Sequence, residues 1–524
     1  MNAYSNFLNI LTEISPNVSC NASTKGPFLI GFDSEIFDKD DTLAKSKSKI
    51  LEDDVNTFAI GCGAAYFRKY ILKSGMASKV YCVINADQIY EGVVFEAFNF
   101  ASFYKLSNLY LVIKNPHSSK IIENIDQICS SFGHRTFTLS ESIDCSEKCK
   151  QFLNAENNCS INCIILAESN INNCKNSELQ PVEPAPIKLD KDILEKFHYS
   201  KLTKNTSVRK AYGSGLCELA NVTGKKVIVL DADTKNSTFS IDFMNICPEN
   251  FVECFIAEQS MVSIAIGIEM SSNSEYTVFC STFGAFFLRA AHQIKLAAIL
   301  GSSLNLCGSH VGVSIGQDGP SQMALEDIAM MNSLNQNLIK FNSKRNMITV
   351  FYPGDALSCE RSVILSALKP GVCYIRSSRP DLPVLINKPQ ALNIGTFVQM
   401  NTVERIKSII ICSGTSIHHA MSIKDWLTEK SVLIINLFTV TPINEGELIS
   451  ICSKSKETLK KLVVIEDHYR YGGIMTAISN ILLKNRIKIE LVHLCVDEIP
   501  RSGKPAELED KYLVDSNAIQ KNLV

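Results

Sequence analysis

An imbalance of charge is missing from this sequence: 54 acidic side chains stand against 52 basic ones, for a formal net charge of -2 at pH 7. Without a basic excess, neither nucleic acid nor an anionic membrane is expected as the main partner. No apolar run reaches the ~18 residues that a membrane-spanning helix needs, and no basic, apolar, small-residue leader opens the chain. A soluble, cytoplasmic protein is the expectation. In that setting the glycosylation patterns at Asn17, Asn21 and Asn221 carry no meaning.

A disulfide framework is also lacking. The 19 cysteines are an odd number and fall inside apolar segments of a long chain, so reduced, buried thiols are expected. Cys145 and Cys149, spaced i, i+4, could join Cys159 and Cys163 as four zinc ligands. However, "SINCIILAES" around Cys163 reads as a plain buried strand without a glycine knuckle. Zinc is therefore not expected.

What is present is a repeated alternation of apolar strands and amphipathic helices, and 524 residues are enough for about three domains. The first block holds "VYCVIN", "LYLVIK" and "CIILAES", and the proline-rich "NSELQPVEPAPIKLDKD" follows as a linker. A second block holds "KKVIVLDADT", "YTVFCSTF", "LNLCGSH", "MITVFYPGD" and "VCYIRSS"; a third holds "IKSIIICSG", "SVLIINLF", "KLVVIED" and "IELVHLCV". Continuous apolar strands imply parallel sheets covered on both faces, hence an α/β class of three doubly wound domains over 1–185, 205–385 and 386–524. Ligands of such sheets gather at the carboxyl ends of strands.

Polar residues cluster after the strands of the second block. Glu258 opens an apolar helix, Phe283 and Phe286 follow one strand, His310 and Asp318 share a glycine-rich loop, and Arg376 and Arg379 follow another strand. Singly, each has an ordinary structural role: a helix-start carboxylate, a hydrogen-bonded histidine, surface ion pairs. Together they suggest a site for a polar ligand.

The segments "VRKAYGSGL", "LDADTKNSTFS", "ECFIAEQSMVSIAIG", "CSTFGAFFLRA", "LNLCGSHVGVSIGQDGPSQMALED", "VFYPGDA", "IRSSRP", "VIEDHYRYGG" and "PRSGKPAEL" closely resemble transketolase, above all the animal type. The resemblance runs from Val208 to the end and, more weakly, over 54–169. It implies transfer of a two-carbon ketol unit between sugar phosphates, with thiamine diphosphate and magnesium bound between the subunits of a dimer. Glu258 then matches the carboxylate that hydrogen-bonds the cofactor's pyrimidine ring. Phe283, Phe286 and Arg289 match the surroundings of that ring. Arg209, Ser237, His310, Asp318 and Arg379 match positions that grip the sugar phosphate, with Glu258 and His310 the catalytic pair. Gln317 stands where many relatives have Glu.

The first block departs from that pattern. The turn after "VYCVIN" reads Asn85-Ala86-Asp87-Gln88 where the family has Gly-Asp-Gly, so Ala86 takes the place of a magnesium ligand. A second ligand position falls on Pro116; Asp87 and Asn115 are weak substitutes, and no metal site is expected. The family's glycine-rich loop is expected to be shortened to "NTFAIGCGAAY", and its early histidine-bearing segments have no counterpart. Two outcomes follow: an enzyme impaired alone and active with an intact transketolase as heterodimer partner, or a non-catalytic protein that uses the fold to dimerise and regulate.

Overall fold

Apolar runs without polar alternation become parallel strands buried on both faces, and they define the architecture in the computed structural model. Described are residues 3–14, 28–30, 51, 54–73, 79–114, 119–140, 143–155, 161–167, 182–202, 204–338 and 348–523. They fall into two compact units, one drawn from 1–184, 254–276 and 299–302, the other from 185–253, 277–298 and 303–524.

In the first unit, β1 (Phe28–Ile30), β2 (Val80–Asn85), β3 (Leu109–Lys114), β4 (Arg135–Leu139) and β5 (Asn162–Leu166) form a parallel sheet in the order β1-β2-β3-β5-β4. Phe7 and Leu11 of the first helix pack with Tyr81, Val83, Tyr110, Val112, Ile164 and Leu166 on one face, and Cys149 belongs to the same core. Cys145, Cys149 and Cys163 are free thiols; Cys159 lies outside the described residues.

The stretch expected as a shortened glycine-rich loop is instead a fully buried helix, Thr57–Tyr66. Its glycines serve packing. A Cβ on Gly63 would lie 2.0 Å from the Ile264 carbonyl oxygen, and one on Gly267 would lie 1.9 Å from that of Ile60. The helices Thr57–Tyr66 and Glu258–Ser272 therefore cross backbone to backbone, each supplying the glycine that admits the other. This draws Glu258–Ser272 into the first unit, although its sequence belongs to the second block.

In the second unit, β6 (Thr206–Ser207) starts a chain that continues through β7 (Val227–Asp231), β8 (Phe251–Glu253), β9 (Thr277–Phe283), β10 (Leu304–Ser309), β11 (Ile348–Phe351), β12 (Val372–Ser377) and β13 (Asp381–Leu382). It goes on through β14 (Phe397–Gln399), β15 (Ser408–Cys412), β16 (Val432–Leu437), β17 (Thr439–Thr441), β18 (Lys461–Tyr469) and β19 (Glu490–Val496). One sheet runs β17-β11-β12-β10-β9-β7-β8 and another β14-β16-β15-β18-β19, with β13 and β6 as a small ribbon. Both large sheets are parallel except at one edge, β17 in the first and β14 in the second. Strand β17 comes from the third block of the sequence yet pairs with β11 of the second, which ties the two blocks into one unit. Among the described residues no helix is long and apolar enough to cross a membrane.

The helix crossing predicts that Gly63→Ala and Gly267→Ala each destabilise the protein by about 1–3 kcal/mol, the usual cost of overpacking a close contact. Gly92→Ala, where an added Cβ meets nothing within 4 Å, is the control. Thermal melts that place Gly267→Ala level with wild type would rule out the crossing.

Candidate functional site

At the end of β2 the chain passes through a short 3-10 turn, Ala86–Tyr90, into the helix Gly92–Phe103. In an α/β domain the amides of such a turn would face an anion. Here Gln88, buried, folds back so that its Oε1 accepts from the Asn85 amide at 2.7 Å. The Ala86 methyl is buried at 1 % exposure and brings no oxygen. A turn closed by its own side chain, with a methyl at the ligand position, does not fit a magnesium-held diphosphate. Asp87 lies exposed on this turn, while Asn115 and Pro116 fall outside the described residues.

Glu258 is the first residue of its helix and 3 % exposed. The next turn is held by a residue that the sequence reading missed. Glu96, from the helix Gly92–Phe103, accepts from the Ser260 amide at 3.0 Å and from Gln259 Nε2 at 3.5 Å. Its signal was present, since Glu96 is the one charged residue within the largely apolar "VVFEAFNFA". A carboxylate at a helix N-terminus gains from the dipole.

The second unit gathers the remaining candidates at the carboxyl ends of one sheet. The chain passes from one side of β7 to the other between β8 and β9, and such a reversal opens a crevice at strand ends. Phe283 ends β9, His310 follows β10 and Arg379 follows β12. His310 stacks on Phe283 with ring centroids 4.0 Å apart, Phe283 stacks on Phe286 at 5.1 Å, and the Arg289 guanidinium lies 5.5 Å from the Phe286 ring centre. His310 Nδ1 is 2.9 Å from Ser309 Oγ. Arg379 Nη1 donates to the Ile315 carbonyl at 2.8 Å and to Asp318 Oδ2 at 3.1 Å. Arg209 Nη1 donates to the Ser237 carbonyl at 3.0 Å.

Electrostatics show that these groups converge. Burial, then the charges of Arg209 and Arg379, pushes the His310 imidazole down to about 3, so it is neutral at physiological pH. Burial and the Arg379 charge likewise lower Arg209. Two guanidinium groups close enough to repel each other stand beside a neutral imidazole, with Asp318 and Asp381 acting on the same charges, a set of groups that could hold an anion. Arg376, expected among the ligand-facing cations, is not one of them. It is fully buried and paired with Asp327 at 2.9 Å.

Parallel α/β sheets with stacked aromatics, arginines and a histidine at their strand ends are the arrangement in which small-molecule sites are found. Residues 204–384 match the pyrimidine binding domain of transketolase, and residues 402–519 match the transketolase C-terminal domain. Human transketolase (Homo sapiens) is 34% identical over 519 residues, covering 89% of this chain and 79% of that protein. The structure of transketolase from Campylobacter jejuni superposes with a TM-score of 0.73 at 14% identity, covering 98% of this chain and 94% of that one. A split-gene transketolase chain, described as an inactive β4 tetramer, matches 61% of this chain and 98% of its own at 25% identity and a TM-score of 0.50. The chain belongs to the transketolase family.

The neutral His310 generates a pH prediction. Its folded-state value of about 3 lies below the ordinary 6.5, so the unfolded chain takes up the proton first. The stability it contributes is complete above about pH 6.5 and is lost as pH falls toward about 3. His310→Gln should therefore flatten the decline of Tm between about pH 7 and about pH 4; identical slopes in variant and wild type would contradict the buried neutral imidazole.

Proposed function

We propose that this chain is a transketolase-family subunit that binds the phosphorylated sugar through its second unit and works only in a composite site completed by an intact transketolase. The observation that carries this reading is a contrast within one chain. Arg209, Arg379, His310 and the stacked phenylalanines converge at strand ends, whereas the turn at Asn85–Gln88 is closed by its own glutamine and holds a methyl where a metal ligand is needed. The split-gene relative in its inactive assembly is a precedent for a transketolase chain that does not act by itself.

The residues have distinct tasks in this reading. Arg209 and Arg379 hold the phosphate by charge-assisted hydrogen bonds, which suit the fork geometry of guanidinium. His310, neutral, orients a sugar hydroxyl as a hydrogen-bond partner. Phe283 and Phe286 offer an apolar, water-excluding wall. Glu258 provides a carboxyl group for a ring nitrogen of thiamine diphosphate, whose chemistry when bound is to form and cleave the carbon–carbon bond of the ketol unit. The metal and diphosphate are assigned to the partner's first domain, because this chain's own turn does not fit them. The homodimer is then impaired, and the mixed dimer has one working site.

Two measurements test this. Calorimetric titration of the purified chain should show weak thiamine diphosphate binding that magnesium hardly changes; submicromolar, magnesium-dependent binding would refute the reading of Ala86. In the second, the chain is co-expressed with a transketolase whose pyrimidine-contacting glutamate is changed to alanine. The isolated mixed dimer should transfer ketol units, and Glu258→Gln should abolish that turnover because an amide cannot exchange the proton. A mixed dimer without turnover, or none at all, would favour the non-catalytic, regulatory reading.

A further inference from the structure

Phe239 has a backbone that a phenylalanine seldom adopts. Its φ of 63° and ψ of 15° lie in the left-handed region, which costs a side-chain-bearing residue ~1–2 kcal/mol. Strain of this kind persists only where the surroundings impose it. Here they do so from both sides. The Asp231 carboxylate, 0 % exposed, takes the Thr234 amide at 2.6 Å, Thr234 Oγ1 at 3.0 Å, Thr238 Oγ1 at 2.9 Å and Ser240 Oγ at 2.8 Å. Residues 238 and 240 are thus tied to one buried anchor, and the link between them must turn left-handed. Gly213 makes room for it, since a Cβ there would lie 2.4 Å from the Phe239 carbonyl oxygen.

The strained turn directs the Phe239 ring at Arg209, whose guanidinium carbon lies 5.1 Å from the ring centre. The other fixed contact of that guanidinium is the Ser237 carbonyl, on the same turn, and Arg209 Nε is buried without a hydrogen-bond partner among the described residues. No carboxylate is in ion-pair contact with Arg209 there, in contrast to Arg376 and Arg379, although Asp381 and Asp318 act on its charge from farther off. A carboxylate in contact would orient the guanidinium but would also occupy one of its donors, as Asp318 does at Arg379. A ring face and a carbonyl oxygen orient it and leave its charge available.

We propose that Phe239 is the positioning residue for Arg209, setting the affinity of the site for the phosphate of its ligand rather than for the sugar. This rests on the phosphate-binding reading of the Arg209, Arg379 and His310 cluster, and the experiment separates the two claims. The full-length chain is titrated calorimetrically with ribose 5-phosphate and with ribose, as wild type, Arg209→Ala, Phe239→Leu and Phe239→Tyr, with Tm measured for each. Phe239→Leu retains apolar bulk but removes the ring face. It should weaken ribose 5-phosphate by about tenfold, the size of a ~1.4 kcal/mol cation–π contact, while ribose binding and Tm stay near wild type. Phe239→Tyr restores the ring face and should restore the affinity; Arg209→Ala should lose at least as much as Phe239→Leu. Wild-type affinity in Phe239→Leu, or equal losses in the Leu and Tyr variants, would overturn the positioning role while leaving the phosphate site intact. A wild-type chain that binds both sugars alike would overturn the phosphate site itself, and the inference with it.

Discussion

The Arg376 guanidinium is the constraint on which the strand ends of the second unit depend. It has no exposed surface, and protein groups match its Nε and Nη2 donors, while Nη1 has no hydrogen-bond partner among the described residues. Nε donates to the Asp327 carboxylate at 2.9 Å, and Nη2 donates to the carbonyls of Ala324 at 2.8 Å and Asp467 at 2.9 Å. Tyr374 adds its hydroxyl to Asp327 at 2.8 Å, and the guanidinium lies 4.4 Å from the Tyr352 ring centre. One side chain therefore links β12, the helix Asp327–Leu338 and β18. Breaking a buried pair of this kind by removing one partner costs ~3–5 kcal/mol, because the other charge is left unpaired.

The consequence for the site lies in the register. Gly308 of β10 pairs with Arg376, and Ser309 with Ser377. Gly308 has no side chain for a reason: a Cβ there would lie 2.1 Å from the Tyr374 hydroxyl, which must reach Asp327. With the two strands locked at this level, His310 and Arg379 emerge within one to three residues of the lock. His310 and Arg379 inherit their placement from a charge pair buried beneath them. In the first unit, Gln88 folded onto the Asn85 amide satisfies the turn locally, so the same strand-turn-helix order there produces a packing element.

Much of this could be read from residues alone, and the failures share a cause. Strands such as "VYCVIN" and "LNLCGS" were legible because a continuous apolar run has few other uses in a long α/β chain. The placement of His310, Phe283 and Arg379 at the strand ends of one sheet was legible because each directly follows or ends an apolar run. Arg376 was not separable from Arg379, since only the tertiary fold brings Asp327 to it. The segment "NTFAIGCGAAY" was expected as a shortened loop because the resemblance sets it against the family's glycine-rich loop; it is a helix, and its Gly63 admits the backbone of Glu258–Ser272. Strand β17 follows β16 so closely that nothing local shows it pairing with a different sheet.

Two of the residues around the anion site, His310 and Phe239, carry positive φ values of 59° and 63° without being glycine. Each follows a strand whose end is held by a buried carboxylate: Asp327 acts beside β10 through Tyr374 and Arg376, and Asp231 ends β7 itself. The buried acids differ in what surrounds them. Asp231 is held by hydrogen-bond donors with no cation in ion-pair contact among the described residues, and burial raises it to about 6, whereas Asp327 has Arg376 in direct contact. A carboxylate satisfied only by hydroxyls and an amide can anchor a turn without drawing Arg209 away from the site, and one satisfied by a guanidinium must keep that guanidinium for itself. The difference between Arg376, locked to a buried acid, and Arg209, held by a ring face and a carbonyl, follows from where the chain places its buried acids.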